Sequence, residues 1–304
     1  MIDWEKLVAP ESPPKSELLW AMGLGLGIAG VLITDPISAL VGDSSSSIGL
    51  VAALVLFAFV SLRIAKPVGG IFALLAVLLA WRLGLGLPSS WLPESFQGLA
   101  PQSITEAGEG FRLILLRVFY LAIPVGVVAL LATGHEDSRR QLKENLKWGD
   151  WHAGIRWPLP WWGVPPMPIW MFVLIGAPCA IPSFLPLIDW SATGDRLGEL
   201  SLWTVALIPF IALINAFLEE FIFRIGLLAA LRKHISLESA AIPTALFFGF
   251  VHFHGGFPGG WFGSLMLSGG GFMLGYLIIA QKGWTAAVLW HAFMDVIVLV
   301  FVFK

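Results

Sequence analysis

Glu219 and Glu220 stand side by side in an otherwise apolar run, from Ile214 through Asn215, Ala216, Phe217 and Leu218 to Phe221, Ile222, Phe223 and Arg224. A carboxylate is costly inside a bilayer, so an intramembrane pair marks a functional site by default. Two further apolar segments carry polar or aromatic partners one helical turn apart, Phe248 with His252 and His291 with Asp295. Carboxylate and imidazole together are the usual means of general acid–base catalysis, in which a positioned side chain moves a proton in the transition state. Each motif also has a purely structural reading. The two acids neutralise Arg224, His252 is a satisfied core histidine, and His291 with Asp295 is a hydrogen bond that ties down the last helix.

Depth separates these readings. The basic loops at 232–236 and 281–284 are taken as one membrane face. At about 1.5 Å of rise per residue, Glu219 lies roughly 20 Å from that face, His252 roughly 24 Å, His291 roughly 12 Å and Asp295 roughly 18 Å. Ionisable groups from three helices then converge on one band inside the membrane, which favours a shared polar cavity. On an α-helix Glu219 and Glu220 point about 100° apart, so the expectation is that only one faces that cavity. Glu220 and Arg224 are spaced i, i+4 for an ion pair. That leaves Glu219 as the carboxylate for chemistry. His291, oriented by Asp295, is the group expected to donate to a developing oxyanion. His254 is expected at the membrane rim, and His252-x-His254 is a weak metal pattern.

The elements that must position these groups are membrane helices. The chain has 304 residues, of which 57% are hydrophobic and only 12% charged, with a mean hydropathy of +0.83. About a quarter of the residues are charged in ordinary soluble domains. An all-α polytopic integral membrane bundle of eight or nine transmembrane helices is therefore expected. The spans fall near 18–34, 48–65, 69–87, 112–132, 168–188, 200–219 (continuing as helix to about 231), 237–253, 262–280 and 285–303. Each is about long enough to cross the hydrocarbon core. Pro178, Pro182 and Pro186 are expected to kink or break the fifth.

Between spans, residues 89–111 read as a polar amphipathic piece and 134–150 as a solvated helix. Trp157, Trp161 and Trp162 suit an interfacial belt. In a nine-span count, Arg63, Lys66, Arg139 to Lys147, Arg232, Lys233 and Lys282 share one side. Asp35, Asp43, Glu94 to Glu109 and Asp189 to Glu199 share the other. The Lys/Arg bias puts the basic side in the cytoplasm. Asp3, Glu5, Glu11 and Glu17 precede the first apolar run, unlike the basic start of a cleavable signal peptide. Cys179 is the one cysteine, so no intrachain disulfide forms, and the net charge of −2 argues against a nucleic-acid partner.

Other patterns carry less. Gly25, Gly27 and Gly30 spell GxGxxG inside an apolar span with no preceding strand, and Gly271 with Gly275 spells GxxxG. Close helix packing explains both. The zinc-protease pattern HExxH is absent. A rhomboid-like GxSG fails, because Met266 stands where the first glycine is needed.

At these motifs the chain resembles the CPBP group of intramembrane glutamate proteases. That group includes the CAAX prenyl proteases of the Rce type and the bacterial Abi proteins linked to bacteriocin processing and immunity. Glu219, Glu220 and Arg224, followed by Gly226, match its EExxxR motif, and Phe248 with His252 match FxxxH. His291 matches the histidine of the third motif, with Asp295 where that motif has Asn. The resemblance covers residues 200–304, read as the catalytic helical core, and leaves residues 1–199 as a transmembrane region without family signal. It implies that Glu219 and His252 activate water for attack on a peptide carbonyl, and that His291 and residue 295 stabilise the oxyanion. It further implies that Glu220, Arg224 and Phe248 support the site, and that no metal or other cofactor is needed. An ionised Asp295 would repel an oxyanion, so it must be protonated or serve only to orient His291. Zinc on Glu219, His252 and His291 is the lesser alternative.

The expected partners are membrane lipids and a protein or peptide substrate, prenylated or leader-bearing. The expected location is a bacterial plasma membrane. Two other readings stay open: a non-catalytic immunity or scaffold protein, and a proton-coupled transporter using Glu219 and the histidines as a relay.

Overall fold

The computed structural model describes residues 15–34, 55–56, 68–86, 107–155, 167–185, 188, 202–254 and 259–301. Most of the expected span at 48–65, the segment 89–106, the loop residues at 35–47, 61–67 and 189–201, and Trp157, Trp161 and Trp162 lie outside them. The described residues are helical apart from one short hairpin and the turns that connect the elements. Lipid offers backbone groups no hydrogen-bond partners, and a helix satisfies its own.

In chain order the helices are α1 (Lys15–Thr34), α2 (Val68–Gly86), α3 (Ala107–Thr133), α4 (Glu136–Asn145), α5 (Ile169–Phe184), α6 (Leu202–Glu220), α7 (Leu227–Leu231), α8 (Leu237–Val251), α9 (Gly260–Gln281) and α10 (Thr285–Phe301). A π-helical turn, Phe221–Gly226, joins α6 to α7 without a break. The hairpin pairs β1 (Gly154–Ile155) with β2 (Met167–Pro168) in antiparallel fashion. Among the described residues, three helical stretches, Lys15–Thr34, Val205–Leu231 and Gly260–Gln281, are long and apolar enough to cross a membrane, and shorter apolar helices accompany them. Leu202, Trp203, Leu174, Phe210 and Leu26 are each more than 60% exposed. Outward-facing apolar side chains of this kind suit contact with lipid tails. The chain is thus a helical membrane protein.

The helices pack in adjoining pairs. α8 lies along α9 and α1, while α6 lies along α10 and α3. Of the three prolines expected to kink or break their helix, Pro178 and Pro182 do not break it, since α5 runs through both to Phe184, and Pro186 lies outside the described residues. The four-residue ridge Ala212 and Ala216 of α6 packs against Val288 and Ala292 of α10. Such small residues bring helix axes close. α8 and α9 meet more closely still at Gly249, where an added Cβ would collide with the Ser264 carbonyl and the Ser268 hydroxyl of α9. The expected packing role of GxxxG is met, since Gly271 faces α8 and Gly275 lies against Ala241. In GxGxxG it is met at Gly25 alone, which abuts Leu246, whereas Gly27 and Gly30 have no neighbour within 4 Å.

One end of the bundle gathers the basic loops. α4 packs on α7, Trp284 N–H donates to Lys147 O at 3.2 Å, and Asp150 N–H donates to Gln281 O at 2.8 Å. The start of α1 joins the same end, where Ser236 N–H donates to Glu17 Oε1 at 2.5 Å and the Ser236 hydroxyl caps α8 at Ser239 N. Residues 134–150 were expected to be a solvated helix. The structure corrects this: α4 exposes its charged face but buries Ser138, Leu142 and Asn145. The reason lies in the π turn, whose wide coil leaves carbonyls without their regular partners. Asn145 Nδ2 donates to Ile225 O at 2.8 Å and satisfies one of them from outside the helix.

The Gly249 contact yields a prediction. Gly249→Ala should lower the thermal stability of the detergent-solubilised protein by about 1–3 kcal/mol, the usual range for overpacking. Gly269→Ala, with no neighbour within 4 Å, should leave it unchanged. Equal unfolding midpoints for the two variants would contradict the tight α8–α9 contact.

Candidate active site

The site begins where the π turn begins. π turns are rare and recur at functional positions. Here one follows directly on Glu220 and contains Arg224. Arg224 Nη1 donates to Glu220 Oε1 at 2.6 Å, and both side chains are wholly buried. The guanidinium carbon lies 3.9 Å from the centroid of the Phe248 ring, a cation–π contact made by α8. Room for it exists because residue 271 on α9 is glycine, as a Cβ there would lie 2.6 Å from Arg224 Nη2. The expected ion pair therefore forms, and it is clamped from two further helices.

α10 brings His291 to the same place. His291 Nδ1 lies 2.7 Å from Glu220 Oε1, so the ring nitrogen donates and the carboxylate accepts. On the other edge, Nε2 faces Asp295 Oδ1 at 3.5 Å and Glu219 Oε2 at 3.7 Å. Glu219 and Glu220 were expected to face different directions. Instead both reach His291, one at each nitrogen. The angle at the helix is closed by the length of the glutamate side chains, because α10 packs over the line between them. Asp295 faces His291 as the i, i+4 spacing predicts, and Glu220 adds a shorter contact at the other ring nitrogen. Only an imidazolium has an N–H for carboxylates on both edges, so the arrangement favours a His291 that donates.

His252 lies just past the last turn of α8, and its Nδ1 is 2.7 Å from the Phe248 carbonyl. A carbonyl can only accept, so Nδ1 carries the proton, and in the neutral ring Nε2 holds the lone pair of a base. His252 joins the cluster across Phe248, whose ring centroid is 4.9 Å from that of His252 and 5.7 Å from that of His291. Phe248 thus touches Arg224 and both histidines. His254 is exposed, with Nε2 3.0 Å from Ile33 O, which ties the end of α8 to α1. Among the described residues, no group of three His, Cys, Asp or Glu side chains is arranged to hold a metal ion.

One residue at the site was quoted in the sequence but not singled out. Asn215 Nδ2 donates to Asp295 Oδ2 at 2.9 Å and to Glu219 Oε1 at 3.3 Å. The available signal was its spacing: an amide in an apolar span, one turn before Glu219. The assembled group combines carboxylates at two edges of an imidazole, a second imidazole with a fixed tautomer, and a buried guanidinium. It can take a proton from water and place an N–H donor near the charge that develops.

Comparison with known proteins bears on the same helices. Residues 201–297 match a family model described as type II CAAX prenyl endopeptidase Rce1-like, which spans α6 to α10 and every residue of the cluster. Neither the curated proteins nor the solved structures give a match to the chain. The polar cluster at the α6, α8 and α10 crossing therefore lies within the matched segment, and it is over residues 201–297 that the chain is similar to the Rce1-like type II CAAX prenyl endopeptidases.

Proposed function

We propose that the protein is an intramembrane endopeptidase in which Glu219 and His252 activate a water molecule without a metal ion. The water loses a proton to this pair as its oxygen attacks the carbonyl carbon of a peptide bond. The carbonyl π electrons move to oxygen, and the resulting oxyanion faces the N–H of His291. Collapse of the tetrahedral intermediate breaks the C–N bond, and the leaving amine takes the proton held by the base. Asp295 accepts from Asn215 and faces His291, so its part is to orient and balance charge rather than to bind the oxyanion.

The observation that carries this reading is the ring of His291, held by Glu220 at one nitrogen and facing Glu219 at the other within the segment matched by a CAAX endopeptidase family. The substrate is a membrane-associated protein or peptide, such as a prenylated CAAX-type tail or a leader-bearing peptide. The setting we propose is a bacterial plasma membrane with the basic end of the bundle in the cytoplasm.

Two variants separate chemistry from support. Glu219→Gln should abolish cleavage while leaving membrane insertion and thermal stability intact. A proteomic comparison of membranes carrying wild-type protein and this variant should show a peptide end that disappears, and full retention of that end would sink the proposal. A non-catalytic protein or a proton-coupled transporter would leave the set of peptide ends unchanged. Glu220→Gln removes one partner of a wholly buried ion pair. It should cost about 3–5 kcal/mol of stability, read as a lower unfolding temperature in detergent, and equal stability of the two variants would contradict the assigned division of labour.

A further inference from the structure

We infer that Asn215 is a positioning residue for the acting carboxylate, holding Glu219 in register through a two-handed amide bridge to Asp295. The inference rests on the peptidase reading for its kinetic consequences, though not for its structural ones. Asn215 lies on α6 one turn before Glu219, and Asp295 lies on α10 one turn after His291. The two ridges face each other because the neighbouring ridges are made of small side chains, with Ala212 and Ala216 against Val288 and Ala292. That close approach lets a side chain as short as asparagine span from one helix to the next.

The amide NH2 has two hydrogens, and the distances give each a carboxylate: Asp295 Oδ2 at 2.9 Å and Glu219 Oε1 at 3.3 Å. An amide nitrogen only donates, so both of those oxygens are acceptors. Without the amide, Glu219 and Asp295 would face one nitrogen of His291 with no second donor between them. With it, Glu219 Oε1 is engaged, and Oε2 is the oxygen on the His291 side, at 3.7 Å. Asn215 thereby selects which oxygen of Glu219 faces the reaction and fixes its rotamer. It also gives the carboxylate at position 295 a partner: the resemblance puts an amide on α10 there, and here the carboxylate stands on α10 and accepts from an amide opposite it on α6.

The test compares Asn215→Leu, Asn215→Asp and the exchanged pair Asn215→Asp with Asp295→Asn in the full-length, detergent-solubilised protein. Asn215→Leu should lower kcat by about 10- to 100-fold, as expected for a misplaced catalytic group, with KM within about twofold of wild type. Asn215→Asp alone should lose at least as much, and the exchanged pair should recover about tenfold or more of that loss, because an amide again lies between two carboxylates. A merely structural role would instead give unfolding of Asn215→Leu with no kcat-specific loss, and no recovery in the exchanged pair.

A second readout does not depend on activity. The infrared carboxylate band of Glu219, identified by its loss in Glu219→Gln, should shift in Asn215→Leu and stay in place in Leu213→Ala, a change on an exposed face of the same helix. An unmoved band, or a kcat within twofold of wild type in Asn215→Leu, would overturn the inference. If the wild-type protein cleaves nothing, or Glu219→Gln keeps its full rate, the peptidase reading fails, and the infrared result still decides whether Asn215 positions Glu219.

Discussion

The buried pair of Glu220 and Arg224 is the interaction on which the rest of the site depends. Ions taken out of water lose hydration worth several kcal/mol each, and only close pairing with further hydrogen bonds or ring contacts offsets that loss. Five elements converge on the pair. α6 supplies Glu220 and the π turn supplies Arg224 at 2.6 Å. α8 lays the Phe248 ring against the guanidinium, and α9 contributes a glycine where any side chain would displace it. α10 then adds His291 to the same glutamate oxygen that Arg224 engages. Once these five residues are in place, Glu219, His252 and Asp295 have few positions left to occupy.

The π turn links this pair to the amphipathic helix at the basic end. Its wide coil frees a carbonyl, and Asn145 of α4 answers it. A segment that the charge pattern marks as surface is thereby part of the support for the site. Local backbone irregularity at a functional position is stabilised here by a distant side chain, which is how such departures persist in folded proteins.

Much of this was legible in the sequence, for physical reasons that can be named. Ionisable residues in apolar spans are rare enough that Glu219, Glu220, Arg224, His252, His291 and Asp295 stood out, and helical rise placed Glu219, His252, His291 and Asp295 in one band. The bounds of α6 through α10 follow closely from hydropathy and from the basic loops at 232–236 and 281–284. What the sequence could not show was side-chain reach. Simple helical geometry separated Glu219 from Glu220, yet two flexible carboxylates close on one ring when a second helix packs over them. Asn215 was overlooked because a single amide in an apolar run costs far less than a charge and so signals less. The buried face of α4 was hidden by its charged one, and the π turn has no mark in composition at all.

The central claim is that Glu219 and His252 address the attacking oxygen while His291 addresses the oxyanion. The most direct measurement is an experimental structure with a peptide phosphinate bound, whose two oxygens mimic the attacking water and the oxyanion of the tetrahedral intermediate. The account predicts one phosphinate oxygen within hydrogen-bond distance of both the Glu219 carboxylate and His252 Nε2, and the other directed at His291 Nε2. A phosphinate bound with neither oxygen near Glu219, or with Glu220 as its carboxylate partner, would contradict it.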